Sequence, residues 1–210
     1  MRRIFKGCKP PILNAHEQEW TAQYLNYRQF GQPRVAATRH SHEAIKSAII
    51  EECHDKCMYC ETKLSVSQPG DVEHILPKST YPEMYISWEN LGLACSKCNS
   101  AKSNNEGFVD PYAEDPKEHV SFLGPMITYR TGSMKGKLTV DGLKLNRTAL
   151  LERRALAIKA LMDKVELSRL AASGALKVLI QSQVEDSLSD DAEYVSTLRE
   201  FYSRMYDTQS

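Results

Sequence analysis

The chain has 210 residues, 27 Lys+Arg exactly offset by 27 Asp+Glu, 41% hydrophobic and 26% charged residues. This is the make-up of a soluble globular protein with one domain, or one module extended at its ends, and it excludes a disordered, collagen-like or disulfide-dense chain. No apolar run approaches the ~20 residues of a membrane span. The basic start Met1-Arg2-Arg3 leads into a polar, proline-interrupted stretch, so no signal peptide is expected and the expected setting is a cytoplasm.

Charge is unevenly spread. Residues 1–50 carry eight basic against three acidic side chains, residues 51–110 five against ten, residues 147–180 seven against three, and residues 181–210 two against seven. An acidic middle between basic arms suits a cation site whose surroundings meet a polyanion; it also fits ordinary solvated surface.

Taken in chain order, Trp20, Tyr24 and Tyr27 mark one face of a helix over 16–29, read as core in preference to a base-stacking platform. Gly31-Gln32-Pro33 ends it. Ser41 is the expected cap of a second helix with Ile45, Ile49 and Cys53 as its apolar stripe. His40-Ser41-His42 reads as histidines at a helix start, with ion binding as the alternative. Segments 62–67 and 71–76, joined by Gln68-Pro69-Gly70, predict a β-hairpin that Pro77 stops. A loop, the stretch 87–91 and a short polar helix around 96–104 follow.

Beyond 105 the chain is irregular, with turns at Asp110-Pro111 and Asp115-Pro116 and short strands expected at 122–130 and 137–140. Asn146 is the expected cap of a long helix with stripe Leu151, Ala155, Ile158, Met162 and Val165. Ser173-Gly174 breaks it before a helix carrying Leu176, Ile180 and Val184. A last helix follows Asp190, which with Glu193 resembles a capping box and leads to Val195, Leu198, Tyr202 and Met205. The expected division is an N-terminal helical segment (1–55), a core (56–105), an irregular segment (106–145) and a C-terminal helical segment (146–210) able to dock a partner.

Of the six cysteines, Cys57/Cys60 and Cys95/Cys98 form two Cys-x-x-Cys pairs. In a reducing compartment such pairs indicate metal ligation before disulfides. Two tight turns supply the closed tetrahedral sulfur shell of a structural Zn²⁺, which holds the fold and leaves catalysis to other groups. A redox pair or unrelated buried thiols are the competing readings. Cys53 and His54 are alternative ligands with poorer spacing, and Cys8 is read as a buried or idle thiol.

Between the pairs lie Glu73-His74-Ile75-Leu76-Pro77, then Asn90-Leu91, then Cys98-Asn99 and Lys102. Phosphodiester hydrolysis needs a base for water and a divalent cation for the charge that builds on phosphate and leaving oxygen. A histidine supplies the first, and hard carboxylate and amide oxygens suit the second. Neighbours on a regular strand face opposite ways, so Glu73 and His74 meet one phosphate only if the strand bends before Pro77.

These residues resemble an HNH endonuclease with its ββα-metal core, over residues 57 to 102. The resemblance implies an α+β fold: a small zinc-stapled ββα core embedded in a mostly helical chain. It implies that His74 is the general base, that Glu73 and Asn99 bind the catalytic Mg²⁺ or Mn²⁺, and that Asn90 ties the loop to the helix. Lys102 matches a lysine that can face phosphate, or is a solvated helix lysine. Glu73 replaces the commoner Asp and Asn99 replaces His. A wider resemblance, carried by Met1–Gly7 with Trp20 and Tyr24, by the tract from Asp110-Pro111 to Glu118-His119, and by Leu143-x-Leu145-Asn146-Arg147, is to the PtuB-type nuclease subunit of Septu anti-phage systems, relatives of which accompany retrons.

That resemblance implies a nucleic-acid substrate, with DNA favoured, and a PtuA-like ABC/SMC-type ATPase as partner. A retron reverse transcriptase with its msDNA is a further possible partner, and RNA or tRNA an alternative substrate. A zinc-knuckle binding module with a dead site is the remaining alternative. Arg147, Arg153, Arg154 and Lys159 crowd one helix and stand as contacts to nucleic acid or an acidic partner face, or as ordinary solvated charge. Glu118-His119 reads as structural. No membrane association is expected.

Overall fold

The computed structural model describes residues 1–65, 68–171 and 174–206. Helix α1 (Pro11–Phe30) begins earlier than the aromatic stripe indicates, because Pro11 presets the first helical turn; Gly31, at φ 75°, ends it in the left-handed conformation. Its Leu13, Trp20 and Tyr24 are buried. A 3₁₀ segment, Arg34–Ser41, follows. Because that segment runs through Ser41, the cap of α2 (Glu43–Glu52) is His42, whose Nδ1 accepts from the Ala44 amide at 3.2 Å. Ile45 and Ile49 anchor α2 in the core.

Strand β1 (Asp71–His74) pairs antiparallel with β2 (Leu91–Ala94), and α3 (Ser96–Lys102) follows directly. This corrects the hairpin expected between 62–67 and 71–76: the register is Asp71↔Ala94 through His74↔Leu91. Val66 and Ser67 of that expected strand lie outside the described residues; around them only isolated bridges, Lys56↔Lys63 and Ser65↔Gln68, occur. The reason is packing. The first cysteine turn lies against β2, with the Met58 amide donating to the Leu93 carbonyl at 2.8 Å. A Cβ on Gly92 would sit 2.4 Å from Met58 Sδ, so the glycine gives the Met58 side chain its place against the strand.

The single strand expected at 122–130 is instead a hairpin, β3 (Val120–Leu123) and β4 (Met126–Tyr129), because the chain turns back at Gly124 (φ 56°). The expected strand at 137–140 is instead part of helix α4 (Met134–Gly142), capped by Ser133 Oγ accepting from the Gly136 amide. Thr139 Oγ1 donates to the Lys135 carbonyl and accepts from the Val109 amide, which fits the β-branched residue into the helix. Asn146 does not cap α5 (Thr148–Leu170); it clamps β4, accepting from the Ile127 amide and donating to its carbonyl. The buried side of α5 is Leu150, Arg154, Ile158, Leu161 and Val165, so Met162 and Ala155 of the expected stripe face outward.

Helices α6 (Ala175–Ser187) and α7 (Val195–Tyr206) complete the chain. Ser173 of the expected break lies outside the described residues. Ile180 and Val184 are buried on α6, while Leu176 is 63% exposed. The capping box expected at Asp190 and Glu193 does not form: Glu193 accepts from the Lys63 amide and pairs with Arg153, while Asp190 pairs with Arg2 and Arg199.

One apolar core runs from Met1 through α1, α2, the cysteine turns, β1–β4 and α4 to Leu150 and Tyr194, joining the first three sequence segments. A separate small cluster, Ile158, Leu161, Val165, Val184 and Leu198, joins α5, α6 and α7. Among the described residues, no helix is long and apolar enough to cross a membrane.

Candidate active site and zinc centre

The sulfur atoms of Cys57, Cys60, Cys95 and Cys98 lie within 4.8 Å of one another, with Cys60 and Cys95 3.8 Å apart. Tetrahedral Zn–S bonds of ~2.3 Å place sulfurs ~3.8 Å apart, so the quartet fits a structural zinc. Both turns are built locally: the Glu61 amide donates to the Cys57 carbonyl, and the Cys98 amide to Cys95 Sγ at the start of α3. Burial pushes the Cys57 thiol up, whereas hydrogen bonds from its three neighbours hold Cys60 well below the ordinary thiol range. Cys53 and His54 stand outside the quartet, facing Tyr112 and Asp191, and Cys8 is exposed, not buried.

The zinc turns aim β1 and α3 at a common cavity of about 400 Å³, lined in part by His40, Asp71, Glu73, His74, Lys78 and Asn99. His74 ends β1, and the residue is 6% exposed. Its Nε2–H donates to the Tyr85 carbonyl at 2.8 Å. That bond fixes the neutral tautomer and leaves Nδ1 as a proton acceptor. Burial, aided by the Lys78 ammonium, lowers the imidazole from 6.5 to about 4, so it is unprotonated at neutral pH.

Glu73 lines the same cavity. Burial raises its carboxyl, opposed by Lys102, whose ammonium lies 2.9 Å from Oε1. Lys102 is not a solvated helix lysine: it is 1% exposed, lines the same cavity and also donates to the His74 carbonyl at 2.8 Å. It thereby locks the Glu73-His74 corner to α3. Asn90 is 2% exposed and ties the loop after β1, its Oδ1 accepting from the Leu76 amide at 2.7 Å and its Nδ2 donating to the Leu76 and Met84 carbonyls.

Asn99 projects from α3 and donates through Nδ2 to Asp71 Oδ2 at 3.0 Å. Its amide oxygen is therefore turned away from that carboxylate and is free to serve as a hard ligand. Asp71 and Glu73 share one face of β1 by strand alternation, so the cavity gathers two carboxylates and an amide, a donor set suited to Mg²⁺ or Mn²⁺.

Two cavity residues, Asp71 and His40, and Tyr85 beside the cavity are not among the expected catalytic residues, His40 being expected only as a helix-start histidine or an ion ligand. Asp71 was legible as the residue two before Glu73 on the same strand face. Tyr85, whose carbonyl holds His74, carries no local signal, and His40, whose ring centroid lies 4.7 Å from that of His74, carries only that of a histidine cluster; both arrive from distant turns. Of the four basic residues of this region only Arg154 is internal; Arg153 and Lys159 are exposed and paired with acidic neighbours. Arg154 is buried on the Leu145 and Pro125 carbonyls, Arg147 sits 3.8 Å from Cys98 Sγ, Arg153 pairs with Glu193, and Lys159 pairs with Asp163. His119 is held between Glu114 and Ser133, away from the cavity.

Comparison with known proteins places the same stretch in a family. Residues 57–105 match the model described as HNH endonuclease. The chain is 38% identical over 108 residues to the Septu protein PtuB of Bacillus thuringiensis, covering 49% of this chain and 41% of that protein. It is 29% identical over 205 residues to the Septu protein PtuB of Bacillus mycoides strain KBAB4, covering 80% of this chain and 69% of that protein. The chain thus spans less than half of the first relative and about two thirds of the second. Zinc-fitting turns and a β1–β2–α3 core thus fall on the stretch that matches the HNH endonuclease model, within a chain similar to Septu PtuB proteins.

Proposed function

We propose that this chain is a divalent-cation-dependent endonuclease that hydrolyses phosphodiester bonds, with DNA as the favoured substrate. The observation that carries the reading is the His74 ring: Nε2 pinned to the Tyr85 carbonyl, Nδ1 left as acceptor, in one cavity with Glu73 and Asn99. Nδ1 of His74 takes a proton from water; the hydroxide oxygen bonds to phosphorus, and one P–O ester bond breaks to release an alkoxide that is then protonated. Glu73 and Asn99 would hold the Mg²⁺ or Mn²⁺, which, when bound, would stabilise charge on the phosphate and leaving oxygen. Lys102 keeps the Glu73 carboxylate in place, and Asn90 keeps the loop that carries Tyr85 folded.

The name of both relatives supports a role in anti-phage defence beside a PtuA-type ATPase. Co-purification with the product of a neighbouring ATPase gene tests that partner, and recovery of a reverse transcriptase instead would mark a retron setting. For the chemistry, plasmid DNA and total RNA are incubated side by side with the full chain. His74→Ala is expected to lower cleavage by roughly 10²–10⁴-fold with zinc content and unfolding temperature unchanged. Cleavage that survives EDTA, or that His74→Ala leaves intact, sinks the reading; cleavage of RNA alone reassigns the substrate.

A further inference from the structure

We infer that His40, outside the matched domain, is a further catalytic residue of this site: its neutral ring donates from Nε2–H to a phosphate oxygen of the bound nucleic acid, beside the accepting Nδ1 of His74. The inference rests on the nuclease reading above and assigns a role to a residue of the 3₁₀ segment that follows α1.

The argument is a count of protons around one phenol. Tyr85 is fully buried, and its ring is stacked on Tyr24 with centroids 3.7 Å apart, so its hydroxyl has a fixed place. The His40 backbone amide donates to that oxygen at 3.2 Å, and the Arg39 amide faces it as well. With the lone pairs so engaged, the hydroxyl proton needs an acceptor, and His40 Nδ1 lies 3.1 Å away. Nδ1 of His40 is therefore the acceptor of this bond, and a neutral ring then carries its proton on Nε2. Burial holds the ring neutral, with its pKa pushed down to about 2.

One residue thus sets both histidines in opposite senses. The Tyr85 carbonyl takes the His74 Nε2 proton and frees Nδ1 to accept; the Tyr85 hydroxyl occupies His40 Nδ1 and leaves Nε2–H to donate. Neither free nitrogen is among the buried polar atoms that lack a partner, and both rings line the cavity, so both open onto its solvent. A neutral donor fixed before the substrate arrives costs no reorganisation during the reaction. Lys46 and Lys78 on the same cavity wall favour entry of a polyanion.

The test uses the full chain with Mg²⁺ or Mn²⁺ and plasmid DNA or RNA, whichever the wild type cuts. His40→Ala is expected to lower kcat roughly 100-fold at full zinc content, with a lower unfolding temperature because the Tyr85 hydroxyl loses its acceptor. His40→Gln, whose amide NH₂ supplies a neutral donor, is expected to regain at least about a tenth of wild-type kcat, being short of only the ring's placement. Independently of turnover, ¹⁵N NMR of labelled histidines should show His40 protonated on Nε2. Wild-type turnover in His40→Ala, failure of Gln to restore activity, or an Nδ1–H tautomer at His40 overturns this inference alone. A wild-type chain that cuts neither DNA nor RNA with any divalent cation overturns the nuclease reading and this inference with it.

Discussion

The zinc-stapled core and the C-terminal helices are held by different physics. In the core, four-residue strands far too short to stand alone are pinned by two cysteine turns, by Asn90 spanning its loop, and by the buried Lys102–Glu73 pair. In α5–α6–α7 the seam itself is five buried apolar residues, and the directional contacts between these helices, such as Lys164 to Ser187 Oγ at 2.7 Å and Arg199 to the Leu188 carbonyl at 2.7 Å, lie around it at the surface. Around them Leu156, Leu170 and Leu179 remain 68%, 72% and 56% exposed. Directional bonds fix geometry to tenths of an ångström, as a catalytic site requires. Apolar contact alone fixes only which side faces inward, which is all that a packing element needs.

The largest expected effect separates these regions directly. Structural zinc is worth ~10 kcal/mol or more of folding free energy in small zinc modules, so chelation or Cys98→Ala should strip hydrogen-exchange protection from β1, β2 and α3. The amides of α5 and α6 should respond far less. If β1 and β2 stay protected without zinc, the apolar core suffices and the contrast fails.

A smaller effect is expected from Lys102→Met. It leaves the Glu73 carboxylate buried without its partner, and breaking such pairs costs about 3–5 kcal/mol, measurable by urea unfolding in zinc-replete, Mg²⁺-free buffer. A loss below ~1 kcal/mol would show that water already reaches Glu73. Smaller again, Leu161→Ala in the C-terminal cluster should cost about 2 kcal/mol, the low end for such truncations, because few neighbours hold the cavity open. Leu93→Ala in the main core should cost nearer 4 kcal/mol, and exposed Leu167→Ala under ~0.5 kcal/mol. Equal losses at Leu161 and Leu93 would mean that the two clusters are equally well packed.

The gentlest expected effect is on the pH dependence of stability. Folded, His40 stays neutral down to about pH 2; unfolded, it takes a proton below about pH 6.5. Protons therefore collect on the unfolded chain as pH falls, and His40 destabilises the fold progressively below pH 6.5 and not above it. Thermal unfolding between pH 7 and 5 should fall more steeply for wild type than for His40→Gln, by less than the ~1.4 kcal/mol per pH unit of one fully linked proton. Parallel curves would place His40 in water.

What could be read from the residues alone was whatever chemistry writes into short spacing. Cys57-x-x-Cys60 and Cys95-x-x-Cys98 announced a sulfur site because two residues between thiols suit one turn, and the structure brings the four together. Glu73-His74 before Pro77, with Asn99 on the helix after the second turn, announced a site that the cavity does gather. The helices showed through their periodicity, but their inward sides drifted by a residue, since the apolar stripe of α5 is broad and Arg154 takes a buried place in it.

Tertiary structure decided the rest. The partner of β1 is β2, seventeen residues after it and not the nearby stretch before it, and the first cysteine turn is seated on that same strand through Met58 and Leu93. Asn146 left its helix to clamp β4, and Lys102 turned inward to Glu73, each following a buried polar partner that no neighbour in the chain reveals. Tyr85 and His40 reach His74 only after α1 has stacked Tyr24 on Tyr85. Spacing encodes bonds made within a turn; bonds made across the fold depend on which surfaces exclude water together, and that is settled only when the whole core closes.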